Sequence, residues 1–244
     1  MLSIFVLSLS VMKKNIPQMS DSFTVGLFLA CCGGFLDGYT YLLRGEKFAT
    51  MQTGNLIMFA LKIFSGKAVE ACYYLIPIGS FFIAVLLTSL IERFYKNKNW
   101  LHWRQAVVIA EMLIVLGTGF IPANESYNWL ANMLVSMVAG MQLEAFKKIK
   151  GLNFATTMCT GNLKNLAESI ASISKSNLKE KLLEIFLFIS VILFFAGGVF
   201  SGYYATGKYS NYGILFVLVF LFLVFVLMFI KPSKKEDDSI SKLN

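Results

Sequence analysis

Eight apolar runs, each closed by a short polar stretch, leave this chain few ways to fold. They cover residues 24–43, 48–65, 69–92, 106–121, 129–146, 154–173, 182–204 and 213–230. A helix that crosses a bilayer needs about 20 mostly apolar residues, and most of these runs reach or approach that length. Only 15% of residues are charged, against ~25% in soluble domains. The expected class is an all-α, multi-pass membrane protein in contact with membrane lipid. The net charge of +8 reads as a surplus of Lys and Arg in cytoplasmic loops and not as a nucleic-acid-binding face.

Six runs are strong. The second is broken by Gln52-Thr53-Gly54-Asn55 and the sixth by Thr160-Gly161-Asn162. These two breaks belong to an internal repeat at an offset of 107 residues. Leu36-Asp37 meets Leu143-Glu144, Thr50-Met51 meets Thr157-Met158, and Thr53-Gly54-Asn55-Leu56 meets Thr160-Gly161-Asn162-Leu163. The apolar runs follow the same shift, so duplication is the expected origin. The division predicted is an N-terminal extension over 1–19, a membrane domain over 20–231 and a charged cytoplasmic tail over 232–244. Within the membrane domain, repeat one covers 24–122 and repeat two covers 129–230.

Charge decides how the halves face. If all eight runs crossed, the 22 Lys and Arg would divide 12 against 10, with no bias. If the second and sixth runs only dip in, 17 fall on the side of both termini and 5 on the other. Basic residues concentrate on the cytoplasmic side, so about six transmembrane helices with both termini cytoplasmic are expected. Three spans per half then give two inverted repeats, a plan common among transporters. Each repeat carries one re-entrant or broken helix bearing Thr-Gly-Asn.

Irregular backbone at membrane depth survives only where protein or a wet cavity covers it. Gly54 and Gly161 allow unusual dihedrals and close backbone approach. Thr53 and Thr160, or Asn55 and Asn162, are able to cap the helix that follows. Two helix N-termini meeting near the midplane would favour an anion or an electronegative group. Thr53, Gly54, Asn55, Thr160, Gly161 and Asn162, with Gln52 and Gln142, are therefore the candidate substrate-binding residues. The competing reading is close helix packing by small residues.

Acidic residues within apolar runs are costly and are functional candidates by default. Asp37 and Glu144 match across the repeat, and each could hold a cation or proton or pair with a base such as Arg44 or Lys150. Glu111 lies deeper, and Leu218 stands at its place in the second half. These three are the candidates for ion or proton coupling. Gly197, Gly198 and Gly202 read as tight helix contacts, and Tyr39, Tyr41, Trp100, Trp103 and Trp129 as an aromatic belt. The four cysteines form no CxxC pair, and His102 stands alone in a loop-like stretch. No metal, cofactor or catalytic site is expected.

Gly33-Gly34-Phe35-Leu36-Asp37-Gly38-Tyr39-Thr40-Tyr41, followed by Phe48-Ala49-Thr50-Met51-Gln52-Thr53-Gly54-Asn55-Leu56, resembles the first signature of the YoaK family of bacterial membrane proteins. Gly140-Met141-Gln142, followed by Ala155-Thr156-Thr157-Met158-Cys159-Thr160-Gly161-Asn162-Leu163, is similar to its second. The resemblance covers about residues 20–231 and implies a small inner-membrane protein of about six helices, without naming a substrate. Phe146-Lys147-Lys148 departs from the Arg-containing stretch expected there. The function expected is a transporter or permease for a small solute, with anions favoured; the alternative is a non-transporting scaffold or sensor subunit. An enzyme is not expected, and a homo-oligomer stays open.

Overall fold

The computed structural model describes residues 22–95, 102–147 and 159–229. The N-terminal extension, the charged tail, Trp100, Lys150 and the second repeat's Thr156, Thr157 and Met158 lie outside the described residues. Among the described residues all regular structure is helical: α1 Phe23–Leu43, α2 Gln52–Phe64, α3 Ala68–Tyr95, α4 Trp103–Gly119, α5 Glu125–Ala145, α6 Cys159–Ala171, α7 Leu178–Tyr209, a 3-10 turn Ser210–Phe216, and α8 Val217–Leu227.

The helix starts follow local side-chain chemistry. Ser22 Oγ accepts from the Val25 amide at 3.3 Å, and Asn124 Oδ1 accepts from Tyr127 at 3.2 Å. The sole histidine is a cap as well. His102 Nδ1 accepts from the Arg104 amide at 3.4 Å, while Gln105 Oε1 accepts from the His102 amide at 3.1 Å. That reciprocal pair satisfies two donors left open at the start of α4.

Three stretches are long and apolar enough to cross a membrane: Phe23–Leu43, Ala68–Tyr95 and Leu178–Leu227. The third is not one rod. Ser210 takes φ +52° and begins a reversal. The Asn211 side-chain amide donates to the Gly119 carbonyl at 2.7 Å, and Phe220 reaches back to Phe28, near the start of α1, at 6.5 Å between ring centroids. The 3-10 turn and α8 together measure about 30 Å, the thickness of a bilayer's hydrocarbon core. Helices α2 and α6 have 13 residues each, or about 20 Å, too short to cross.

The packing is set by small residues. α1 and α7 run in the same direction, since Phe23 meets Phe186 at one end and Leu42 and Leu43 share a groove with Tyr203 and Lys208 at the other. Between them a Cβ on Gly34 or Gly198 would overlap the partner's backbone at Phe195 or Cys31, and one on Gly202 would lie 2.7 Å from the Phe35 carbonyl oxygen. Gly197 differs from the expectation: a Cβ on it would meet nothing within 4 Å among the described residues, because it points away from α1. α3 and α5 also run in the same direction. Gly140 lies against Phe81 and Ala84, Ser89 Oγ donates to Glu144 at 2.7 Å, and Lys147 reaches Glu92 at 3.6 Å. α3 buries only Ala71, Pro77, Ser80, Ala84 and Thr88, as expected where helices meet in lipid through small side chains.

α1 is the centre, buried over most of its length, with α7 on one side and α8 on another. α4 packs against α5 and α8, while α2 rests on α3 and α6 on α7. The exterior is apolar: Phe64 is 90% exposed, and Val69, Phe82, Phe200 and Leu193 also face outward. Such a surface requires lipid around it. Two aromatics expected in the belt are instead buried. Tyr39 is fully covered because its hydroxyl accepts from Arg44 Nε at 2.9 Å, and Trp103 packs into the core.

Candidate functional site

The chain between α1 and α2 runs through two turns and brings Ala49 and Thr50 into the protein. The first turn uses two left-handed residues, Gly45 at φ +83° and Glu46 at φ +55°. Ala49 and Thr50 are then buried, so their backbone groups need partners inside. Asp37 supplies one of them and also holds the Thr50 side chain. Its carboxylate accepts from Thr50 Oγ1, which lies 2.8 Å from both oxygens, and from the Thr50 amide at 3.3 Å. Thr40 Oγ1 accepts from the Ala49 amide at 3.4 Å. The Ala49 carbonyl accepts from Ser136 Oγ at 2.6 Å and from Gln52 Nε2 at 2.8 Å. Asn55 Nδ2 donates to Gln52 Oε1 at 3.0 Å and to the Phe48 carbonyl at 3.4 Å.

The motif works differently from the capping expected. Met51 occupies the cap position of α2 and makes no side-chain cap bond. Thr53, Gly54 and Asn55 lie inside the first turn, and Asn55 turns back to brace the incoming chain. Thr160, Gly161 and Asn162 likewise lie in the first turn of α6, which begins at Cys159. Asn55 and Asn162 are the buried members, while Thr53, Thr160 and Gly161 are exposed. Among the described residues a Cβ on Gly54 or Gly161 would meet nothing within 4 Å, so no close packing is seen at these glycines.

The two helix starts approach one another through Asp37. Thr50, two residues before α2, binds it directly, and Cys159, the first residue of α6, lies within electrostatic range of it. A cavity of about 300 Å³ opens beside this point, lined by Asp37, Gly38, Met51, Phe195, Val199 and further apolar side chains. None of the Thr-Gly-Asn residues lines it.

The remaining candidates are dispersed. Gln142 is fully buried and ties α5 to α1, donating from Nε2 to the Leu29 carbonyl at 3.0 Å. Glu111 is fully buried in the core, and neither carboxyl oxygen has a hydrogen-bond partner among the described residues. Glu144 is held by Ser89 and by Lys147 at 2.6 Å, and that bond raises the Lys147 ammonium's pKa. Arg44 does not pair with Asp37. Fully buried, it donates from Nε and Nη2 to Tyr39 Oη, from Nη1 to the Pro122 carbonyl at 2.8 Å and from Nη2 to Ile121 at 2.8 Å. Its own carbonyl accepts from Asn132 Nδ2 at 2.8 Å. It thereby joins the ends of α1 and α4 and the start of α5. Sequence reasoning missed Thr50, Ser136 and Asn132; only Thr50 carried a signal, as a repeat match to Thr157.

A family model described as a protein of unknown function, DUF1275, matches residues 25–227. The chain belongs to this family. Its DUF1275 region includes α1 to α8 and the Asp37–Thr50 contact. The chain is also 25% identical over 152 residues to the UPF0700 transmembrane protein YoaK of Bacillus subtilis (strain 168). That match covers 59% of this chain and 64% of the relative, so it spans a little under two thirds of the relative's length. The likeness to YoaK carried by the two motifs is thus confirmed, and the protein is a DUF1275 membrane protein. No solved structure matches the chain.

Proposed function

We propose that the protein is a secondary transporter or permease for a small solute, built from six spans in two inverted repeats. The observation that carries this reading is the pair of half-length helices, α2 and α6. In both matching Thr-Gly-Asn turns the glycine borders open space among the described residues and the asparagine is buried, and Asp37 binds the chain entering α2 and lies within electrostatic range of the start of α6. Broken helices that end near the midplane form the binding sites of many transporters. Polar backbone is stable at that depth only beside protein or a wet cavity.

The packing supports the inverted plan. Exchanging the halves turns the α1–α7 pair into the α5–α3 pair, both of like direction. It turns α4–α5 into α8–α1, and α2 on α3 into α6 on α7. In this reading the protein sits in a bacterial inner membrane with both termini cytoplasmic and has no enzymatic role. Gln52, Thr53, Gly54, Asn55 and their counterparts Thr160, Gly161 and Asn162 line the solute path, with Gln142 behind them. Asp37, Glu144 and Glu111 are the groups available for coupling ions or protons.

The test has two parts. With the other native cysteines replaced, a charged thiol reagent should label Gln52→Cys from one side only and Cys159 from the opposite side only; labelling of both from one side overturns the inverted plan. In proteoliposomes loaded with mixed small metabolites, the wild type should exchange at least one class, read by mass spectrometry. Asn55→Leu should abolish that flux at unchanged folded yield. Folded protein with no flux for any class, or full flux in Asn55→Leu, overturns the transport reading.

A further inference from the structure

A second cavity, of about 430 Å³, lies between the 44–47 turn and the first turns of α3 and α5. Its walls include Tyr73, Tyr74 and Trp129, with Lys47, Glu70 and Glu125 around them. Arg44 lies beneath it, fully buried. The charges in this cavity are not matched. Lys47 Nζ stands over the Tyr74 ring at 4.5 Å and the Tyr73 ring at 5.9 Å, and among the described residues it makes no ion pair. Glu70 would be its natural partner, but Lys62 holds Glu70 at 2.5 Å and Lys67 approaches it at 3.5 Å. Burial, and then repulsion from Lys62, push the Lys47 pKa down.

Arg44 repeats the pattern. Every acceptor of its guanidinium is neutral: one phenol and two backbone carbonyls. Glu125, the other acid at the rim, is exposed in the first turn of α5, where the helix dipole favours a negative charge without a partner. Lys47, partly desolvated, therefore faces the cavity with no carboxylate committed to it, above an Arg44 guanidinium that is held by neutral groups alone. A desolvated, unpaired cation is costly, and an anion arriving there relieves that cost. The aromatic walls add an apolar surface suited to a flat organic body.

We propose that this cavity binds a small organic carboxylate, its anionic head on Lys47 above Arg44 and its apolar body against Tyr73, Tyr74 and Trp129. This extends the transport reading by naming the charge and shape of the solute, and rests on it only for the step after binding. The rival occupant is an organic cation taking the place of the Lys47 ammonium over the tyrosines.

Equilibrium dialysis of the full chain in neutral-lipid nanodiscs separates them, with radiolabelled benzoate and benzylammonium as probes and inorganic phosphate as competitor. Benzoate should bind saturably and benzylammonium should not. Lys47→Gln should weaken benzoate about ten-fold or more, the worth of one charge-assisted hydrogen bond, while Lys47→Arg retains it. An unchanged thermal transition in Lys47→Gln keeps the comparison clean, because Lys47 is half-buried and braces no backbone. Equal or tighter benzylammonium binding, an unaltered benzoate affinity in Lys47→Gln, displacement by phosphate as effective as by unlabelled benzoate, or no saturable binding each overturns the proposal. Benzoate binding without flux of any solute would leave this site standing and remove the transport reading instead.

Discussion

Neighbouring glycines on α7 should respond oppositely to the same substitution. A Cβ on Gly202 would lie 2.7 Å from the Phe35 carbonyl oxygen, about 0.7 Å inside the 3.4 Å at which ordinary contact begins. Both atoms that would have to move are helix backbone, so α1 and α7 must separate along their shared seam. Overpacking of this kind costs about 1–3 kcal/mol, and at Gly198, where overlap with Cys31 is deeper, the cost lies at or beyond the upper end. A Cβ on Gly197 would meet nothing within 4 Å among the described residues. There the change to alanine should be neutral or should stabilise by up to ~1 kcal/mol, because alanine leaves the unfolded chain less conformational entropy to lose. Gly197→Ala, Gly198→Ala and Gly202→Ala should therefore differ by about 2–4 kcal/mol in total span. Thermal or denaturant unfolding of the three purified variants in one detergent measures it. If Gly197→Ala destabilises as much as Gly198→Ala, the placement of α7 against α1 is wrong.

Two further substitutions probe the buried polar contacts. Thr50→Val keeps the shape but removes the hydroxyl donor from Asp37, and should cost about 1.5–3 kcal/mol; Ser136→Ala, which removes one neutral bond to Ala49, should cost about 1 kcal/mol, and reversal of that order would refute the role given to Asp37. Arg44→Lys keeps the charge but loses the planar fork that reaches Tyr39, Ile121 and Pro122 together. It should lower the unfolding midpoint by several degrees and raise proteolysis in the 120–124 connection, and a midpoint equal to wild type would count against the staple.

Much of the architecture was legible because a bilayer imposes length. The six strong runs became the long helices and the final reversed segment, and the two weak runs became the half-length helices α2 and α6. The likeness of α2 and α6 was legible because Thr-Gly-Asn recurs at a fixed offset at the start of both. What the sequence hid was the use of each polar side chain. Asp37 and Glu144 match in position, yet one braces the chain that enters α2 and the other joins α5 to α3 through Ser89 and Lys147. Arg44 looked like a counter-ion and serves a helix terminus, since carbonyls at the end of α4 carry partial negative charge. Asn55 looked like a cap, but the break in the helix falls one turn earlier, at Met51. Spacing reports which residues share a face; it does not report which backbone groups arrive there from a distant loop.

The position of α1 at the centre has a consequence for synthesis. Its widest seam, at Cys31 and Gly34, closes on Phe195 and Gly198, which leave the ribosome more than a hundred residues later. At elongation speeds of roughly 5–20 residues per second, α1 waits on the order of ten to thirty seconds with its glycine face open to lipid. The α3–α5 seam closes sooner, because only α4 separates those helices. Assembly should then proceed from the middle of the chain outward, with the first helix made among the last to be locked. A nascent chain arrested before α7 would carry an exposed small-residue stripe, and quality-control proteases that sense unpaired helix faces in the bilayer would act on it during that interval.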